Sequence, residues 1–513
     1  MTYGGRLTVP ELLSIRTAET PDRTAIIVDG IGALTFGEWD ARSNAVAHEL
    51  ARLGVRRGDR VGLVFGERDW IEFAVGCCAA LKAGAVVVPV SDRLAPGAVR
   101  RILADCSVSA ILHGVCAAVP EQAPGQAWQA TVAELSGTDT RPPHVAIAPD
   151  DLAQILYTSG TTGRHKGVAT THASLTDGAR PLGARRAYAH SEHFLHAFPV
   201  GTAAGQSVFI TALDARPAML TLPHFTPARF ARLIASYRPG TVYLVPTMAA
   251  AFLEAGMPDR YDLSSVQLLG SGAAMLPPKI AADLAAAFPH AIIINYYMST
   301  ESAPAQTAMV VDSRRPGSVG KPGLGSTVKI TDPAGHPAAP GEQGEVWIRT
   351  PAGPRGYYRD KAETERVFQD GWVRMGDIGY LDDQGYLYLV DRESDIIKSA
   401  AFKVSTIAVE SALYEHPAVA EAAVFGFAHQ VLGTAVAAAV VTRTPASANE
   451  LREFLSGRLA RHELPLRLLF LDSLPKNHAG KVLKRELRAL LAREGASLAG
   501  LTHLSVVSTE RTT

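Results

Sequence analysis

At 513 residues with 47% apolar side chains, the chain can build two or more buried cores. Fifty basic residues balance fifty acidic ones, which excludes the bulk field of a nucleic-acid or anionic-membrane binder. Cys77, Cys78, Cys106 and Cys116 lack Cys-x-x-Cys spacing and a nearby His pair, which excludes a zinc site or disulfide framework.

The N-terminus shows no basic stretch followed by an apolar run and cleavage site, and no segment approaches about eighteen apolar residues. A cytoplasmic protein without a membrane span is expected, with Cys77 and Cys78 as buried small hydrophobes. In chain order, Thr35 and Glu38 predict a capping box opening a helix that ends at Gly54, with Val46, Leu50 and Leu53 on one face. A strand at 60–65, a helix at 71–82 and a strand at 85–90 continue an alternation of helix and buried strand. The same rhythm returns at 241–245, 266–269 and 291–295. Each of these strands ends in small or polar residues, where open α/β sheets bind ligands. From about residue 310, Gly, Pro and short alternating strands predict a β-rich cap, with a strand at 344–349 and a hairpin over 379–389. A smaller unit follows Arg392–Ser394, with helices near 406–415, 447–461 and 482–493 and a strand at 435–441. The predicted architecture is α/β: a large layered domain over 1–392, a small mobile α+β domain over 393–494, and a tail over 495–513.

Chemistry is most visible between Tyr157 and Val168. Gly160, Gly163 and Gly167 allow backbone N–H groups to converge on phosphate oxygens, Thr158, Ser159, Thr161 and Thr162 are rich in hydroxyls, and Lys166 brings a mobile charge. The spacing differs from a Walker loop, which places its lysine before Ser or Thr; here Lys166 precedes Gly167. A polyphosphate, ATP above all, is the expected ligand.

Five further segments stand in order: Leu81-Lys-Ala-Gly84, Tyr297-Met-Ser-Thr-Glu301, Gly376-Asp377, Arg392 with Lys398, and Pro475-Lys-Asn-His-Ala-Gly-Lys481. Together with the phosphate loop, from about residue 10 to 490, they resemble the adenylate-forming superfamily of acyl-CoA synthetases, adenylation domains and luciferases. The resemblance implies a small C-terminal domain that rotates between an adenylating and a thioester-forming state. It makes Thr158–Lys166 the ATP phosphate loop, Thr300 a donor to the α-phosphate, Glu301 the Mg²⁺ ligand, and Asp377 and Arg392 the ribose contacts. Tyr297 and Met298 border the nucleotide, and Lys481 reaches the substrate carboxylate and the α-phosphate. Physical chemistry asks for the same parts, because a carboxylate attacking a phosphate is one anion approaching another and needs positive charge where they meet. His165 and His196 are read as non-catalytic.

Several positions depart from the family pattern. Met298 replaces a glycine, Met375 a Thr or Ser, Ser394 the hinge Asp or Lys, and Ala401 a hairpin glycine bordering the pantetheine channel. These motivate two rivals to a complete acyl-CoA ligase. One is a split enzyme that forms the thioester from an adenylate made by a separate partner enzyme, as in some diterpenoid antibiotic pathways; the other is a noncatalytic acyl-adenylate or CoA binder. Thr202 aligns with the family's aromatic or histidine gate, and Ala203, Ala204, Gly272, Ala273 and Ala274 are small. No acidic residue occurs between Pro199 and Leu213, so a buried substrate ammonium would lack a partner. A bulky apolar acid, aromatic or polycyclic, is therefore expected, with ATP, Mg²⁺ and coenzyme A and without nucleic-acid or membrane partners.

Overall fold

The computed structural model describes residues 6–117, 119, 127–159, 165–179, 186–323, 325–350, 352, 355–399, 402–429, 432–477 and 480–496. Its large N-terminal part holds two sheets. One has parallel strands in the order Thr24–Val28, Ala218–Thr221, His193–Leu195, Thr241–Leu244, Leu268–Ser271 and Ile292–Tyr297. It continues through the antiparallel strands Gln306–Val310 and Ser318–Gly323 into the expected cap, built from Leu387–Arg392, Trp372–Leu381, Gly344–Arg349 and Thr327–Thr331. The second sheet runs Gly356–Tyr357, His165–Thr171, Leu152–Ser159, Val86–Ser91, Arg60–Phe65, Ala110–His113 and Trp128–Thr131.

The helix Trp70–Lys82 lies between these sheets and is apolar around nearly its whole circumference, as a helix packed on both sides must be. Cys77 and Cys78 are buried in it, as expected, and burial raises both thiols, Cys78 to about 12. Lys82 at its end keeps its charge satisfied by donating to Asp40 Oδ1 at 2.7 Å, Ser43 Oγ at 2.7 Å and Asn44 Oδ1 at 2.6 Å. The preceding helix, Phe36–Arg52, opens with the predicted Thr35–Glu38 capping box.

The third sheet pairs Phe402–Val404, Ile397–Ser399, Gly433–Thr442 and Val419–His429, with Arg467–Phe470 parallel to Gly433–Thr442. The helices Thr406–Tyr414, Ala448–Ser456 and Lys484–Ala496 accompany it. Two boundaries moved: the strand expected at 266–269 is Leu268–Ser271, and the helix expected to reach 461 stops at Ser456, where Gly457 is the C-cap. Among the described residues, no helix is long and apolar enough to cross a membrane.

Candidate active site

The parallel strands Leu268–Ser271 and Ile292–Tyr297 lie side by side and end together, so Gly272–Ala274 and Met298–Glu301 emerge on the same edge of the sheet. Tyr297 closes its strand with the hydroxyl donating to Asp377 Oδ2 at 2.5 Å. Asp377 stands opposite Arg392 in the antiparallel pair of the cap, with Arg392 Nε 3.3 Å from Oδ1. Both oxygens of a buried carboxylate are thus engaged by residues from different strands. Burial pushes the Asp377 carboxyl up, and the Arg392 guanidinium opposes it.

Thr300 and Glu301 sit in the turn that follows. Ser299 and Ser302 exchange hydrogen bonds across it, Ser302 N to Ser299 Oγ at 3.1 Å and Ser299 N to Ser302 Oγ at 3.0 Å. Glu301 Oε1 accepts from the Tyr357 hydroxyl at 2.9 Å, and the carbonyl of Thr300 accepts from Arg355 Nη1 at 2.7 Å. Sequence reasoning passed over Arg355 and Tyr357, whose only signal was a basic residue and a tyrosine flanking Gly356 just ahead of the cap's Gly376-Asp377.

Of the phosphate loop, Gly160, Thr161, Thr162 and Gly163 lie outside the described residues, as does the side chain of Ser159. The strands on either side are in register, with Thr158 opposite Lys166 and Ser159 opposite His165. Gly167 is glycine for want of room, since a Cβ there would stand 2.8 Å from Ile155 Cγ2 and 3.0 Å from the Tyr157 ring. The ammonium of Lys166 pairs with Glu363, whose oxygens also accept from Arg366 at 2.6 and 2.8 Å. Arg366, then Lys166, holds the Glu363 carboxyl down to about 2.

Lys481 lies on a tight loop in which Asn477 Oδ1 accepts from Lys481 N, and Asn477 N donates to Lys481 O, both at 2.8 Å. Gly480 has φ +80, and a Cβ there would lie 3.2 Å from Thr247 Oγ1. The loop therefore rests on the first turn of the helix Pro246–Glu254 of the large domain. Arg392, and then partial burial, holds the Lys481 ammonium down to about 8, while Asp395 and Asp377 pull it upward. Arg392, Asp377 and Lys481 thus form one electrostatic group.

Of the small residues expected to line an acyl pocket, Gly272, Ala273 and Ala274 follow the strand Leu268–Ser271 at this edge, and Ala203 opens the helix Ala203–Asp214. Ala273 and Ala274 are exposed, Gly272 and Ala203 are half-buried, and Ala273 has φ +68. Thr202 caps the helix Ala203–Asp214, its hydroxyl accepting from Gly205 N at 3.0 Å and donating to Pro199 O at 2.8 Å. Half-buried Met298 follows Tyr297 directly. Two departures from the family pattern adjoin one turn: Met375 is buried with its sulfur accepting from Ser299 Oγ at 3.8 Å. Ser394 is exposed in a turn closed by Asp395 N donating to Arg392 O at 2.9 Å, and Ala401 lies outside the described residues. His196 is fully buried among Trp70, Phe194 and Phe198, and burial pushes it down to about 3. Half-buried His165 is likewise lowered by burial. Asn295, two residues before Tyr297, went unnoticed in the sequence; its Oδ1 is buried without a protein partner, as is Ser271 Oγ on the neighbouring strand.

The sequence model for an AMP-binding enzyme matches residues 13–358, and that for the AMP-binding enzyme C-terminal domain matches 408–481. The chain belongs to the AMP-binding enzyme family. It is of the adenylate-forming, acyl-CoA synthetase type. This AMP-binding enzyme is 32% identical to a feruloyl-CoA synthase of an Amycolatopsis species, over 92% of this chain and 97% of that protein. It is 30% identical to a 4-coumarate–CoA ligase of Pinus taeda, over 93% and 94%. Its fold matches the o-succinylbenzoate CoA synthetase of Bacillus subtilis, solved with its acyl-adenylate intermediate, at TM-score 0.82 and 28% identity over 94% and 98% of the two chains.

Proposed function

We propose that this AMP-binding enzyme activates a bulky apolar carboxylic acid with ATP and transfers the acyl group to coenzyme A. The observation that carries this reading is the grouping of Asp377, Arg392 and Lys481 beside the paired strand ends that bear Gly272–Ala274 and Thr300–Glu301. In the first half-reaction the acid's carboxylate oxygen attacks the α-phosphorus, and pyrophosphate leaves with the electron pair of the broken P–O bond. Lys481 neutralises the meeting anions, Thr300 donates to the α-phosphate, Lys166 and the hydroxyls of Thr158, Ser159, Thr161 and Thr162 hold the outgoing phosphates, and Asp377 and Arg392 hold the ribose. The unpartnered Oδ1 of Asn295 suits the amino group of adenine. Glu301 fits Mg²⁺, a hard cation usually bound by one or two carboxylates together with substrate phosphates, and the ion supplies charge neutralisation there. In the second half-reaction the CoA thiolate attacks the acyl carbon and AMP departs. Lys481 takes no part in that step, because its loop leaves with the small domain.

The domain boundary is placed at Arg392–Ser394, dividing 1–392 from 393–494, with the exposed Ser394 turn as the hinge. The preference for an aromatic or polycyclic acid is supported by the small residues at the strand ends and by relatives named for coumarate and ferulate. A reducing cytoplasm suits the buried free thiols of Cys77 and Cys78. The test is pyrophosphate release with a panel of aromatic, polycyclic and fatty acids, beside thioester formation from synthetic acyl-adenylates. A complete ligase gives acyl-CoA and AMP from acid, ATP, Mg²⁺ and CoA with purified protein alone. Thioester formation only from supplied adenylate would replace this reading with the split enzyme and a separate adenylating partner.

A further inference from the structure

The segment from Arg355 to Arg366 touches three parts of the nucleotide site at once. Gly356–Tyr357 pairs antiparallel with the strand carrying Lys166, with Tyr357 opposite Val168, and Tyr358 N donates to Gly167 O at 2.8 Å. Its height is therefore fixed by the phosphate-side strand. Arg355, half-buried, reaches one way, to the Thr300 carbonyl and to Ser174 Oγ at 3.2 Å. Tyr357 reaches another way, to Glu301 Oε1, and Lys166 Nζ stands 5.4 Å from the centre of the same phenol ring. Thr364 ties the helix Lys361–Val367 to this strand, accepting from Tyr357 N at 2.9 Å and donating to Asp360 O at 2.7 Å.

These contacts have chemical consequences. A donor on one oxygen of a carboxylate fixes its rotation and leaves the other oxygen for a cation. Arg366 contacts both oxygens of Glu363, so Lys166 can turn to a phosphate without stranding a carboxylate.

We propose that Tyr357 is a positioning residue for both Glu301 and Lys166: its hydroxyl orients the carboxylate that holds Mg²⁺, and its ring face seats the lysine that meets the phosphates. The proposal rests on the nucleotide and Mg²⁺ roles assigned above to Lys166 and Glu301. It couples the metal to the phosphate grip through one side chain, so that both are set before ATP arrives.

The experiment uses the full chain with Mn²⁺ as the metal probe and a nonreactive α,β-methylene analogue of ATP. Mn²⁺ binding is followed by electron paramagnetic resonance, and metal-free nucleotide binding by calorimetry. Tyr357→Phe should weaken Mn²⁺ binding to the nucleotide complex about tenfold, the lower end for a residue that orients a metal ligand, and leave metal-free nucleotide binding unchanged. Tyr357→Leu, which also removes the ring, should weaken both. In the reaction, Tyr357→Phe should raise the Mg²⁺ concentration needed for half-maximal pyrophosphate release while nearly preserving kcat at saturating Mg²⁺. Glu301→Gln separates the two levels of inference. If it loses Mn²⁺ binding and Tyr357→Phe does not, the positioning role is overturned while Glu301 remains the metal ligand. If Glu301→Gln binds Mn²⁺ as the native protein does, the assignment of Glu301 fails and the proposal with it. The phenylalanine variant alone decides the hydroxyl's role should the leucine variant fail to fold.

Discussion

The cluster around Asp377 and Glu301 and the loop that bears Lys481 are built in different ways. At the edge, the carboxylates Asp377 and Glu301 each accept from a tyrosine hydroxyl, that of Tyr297 or Tyr357, anchored in a strand. At the loop, Lys481 is placed by backbone hydrogen bonds to Asn477 and by the approach of Gly480 to Thr247. The groups proposed to bind nucleotide are thus set by the sheets, whereas the charge proposed for the reaction rides on a loop contact. The difference teaches that binding and adenylation should fail independently when each region is altered.

The largest effect is expected from Lys481→Ala. Removing a preorganised charge should slow pyrophosphate release by roughly two to three orders of magnitude, with nucleotide binding and melting temperature close to those of the native protein. A comparable loss of nucleotide affinity would erase the contrast between the two regions.

Asp377→Ala attacks the other side. Loss of a charged hydrogen bond, worth ~1.5–3 kcal/mol, should weaken nucleotide binding by about ten- to a hundredfold, measured by calorimetry. Tyr297 and Arg392 also lose their shared partner, so a modest drop in melting temperature is expected. Outright unfolding would mark Asp377 as chiefly structural.

Gly480→Ala sharpens the comparison, since it leaves every charged group in place. A left-handed backbone costs a non-glycine residue roughly 1–2 kcal/mol, and the new Cβ would press on Thr247 Oγ1 at 3.2 Å. Adenylation should fall about five- to thirtyfold, and thioester formation from supplied acyl-adenylate should hold. Equal loss in both assays would show that the loop's seat serves both states.

The smallest effect concerns Met298→Gly, which opens space beside the nucleotide edge at about 0.5–1 kcal/mol of backbone entropy. Pyrophosphate release with bulky acids should rise severalfold, if only for acids limited by the methionine side chain. A panel of acids of graded width, none of which gains, would reject Met298 as the restraint.

The layered α/β plan was legible because buried parallel strands announce themselves as continuous apolar runs, and the Thr35–Glu38 box as a local signature. Register was less legible: the apolar positions of Val266–Leu269 give no sign that the strand runs on to Ser271, and pairing with both Thr241–Leu244 and Ile292–Tyr297 selects Leu268–Ser271. Tyr297, Thr300, Glu301, Asp377, Arg392 and Lys481 stood out as candidates because each belongs to a motif, and the structure brings Tyr297, Asp377, Arg392 and Lys481 together. Tyr357 and Arg355 were not, since their roles depend on a two-residue strand pairing with residues 168–169, a contact that leaves no periodicity. Thr202 stood out only as a candidate pocket position, and the structure shows its hydroxyl capping the helix Ala203–Asp214. Asn295 was hidden for the opposite reason: one unpaired oxygen inside an apolar strand resembles an ordinary strand residue until its neighbours are known.

The central claim, that Lys481 is the charge used in adenylation and not in thioester formation, is tested most directly by the pH dependence of the two half-reactions. A lysine held down to about 8 is protonated below that pH and loses its charge above it. The kcat/KM of pyrophosphate release, which reports the free enzyme, should therefore fall as pH rises through about 8, and Lys481→Arg should move that limb upward. Thioester formation from supplied acyl-adenylate should show no such fall. A descending limb shared by both half-reactions, or one that survives unchanged in Lys481→Arg, would contradict the account.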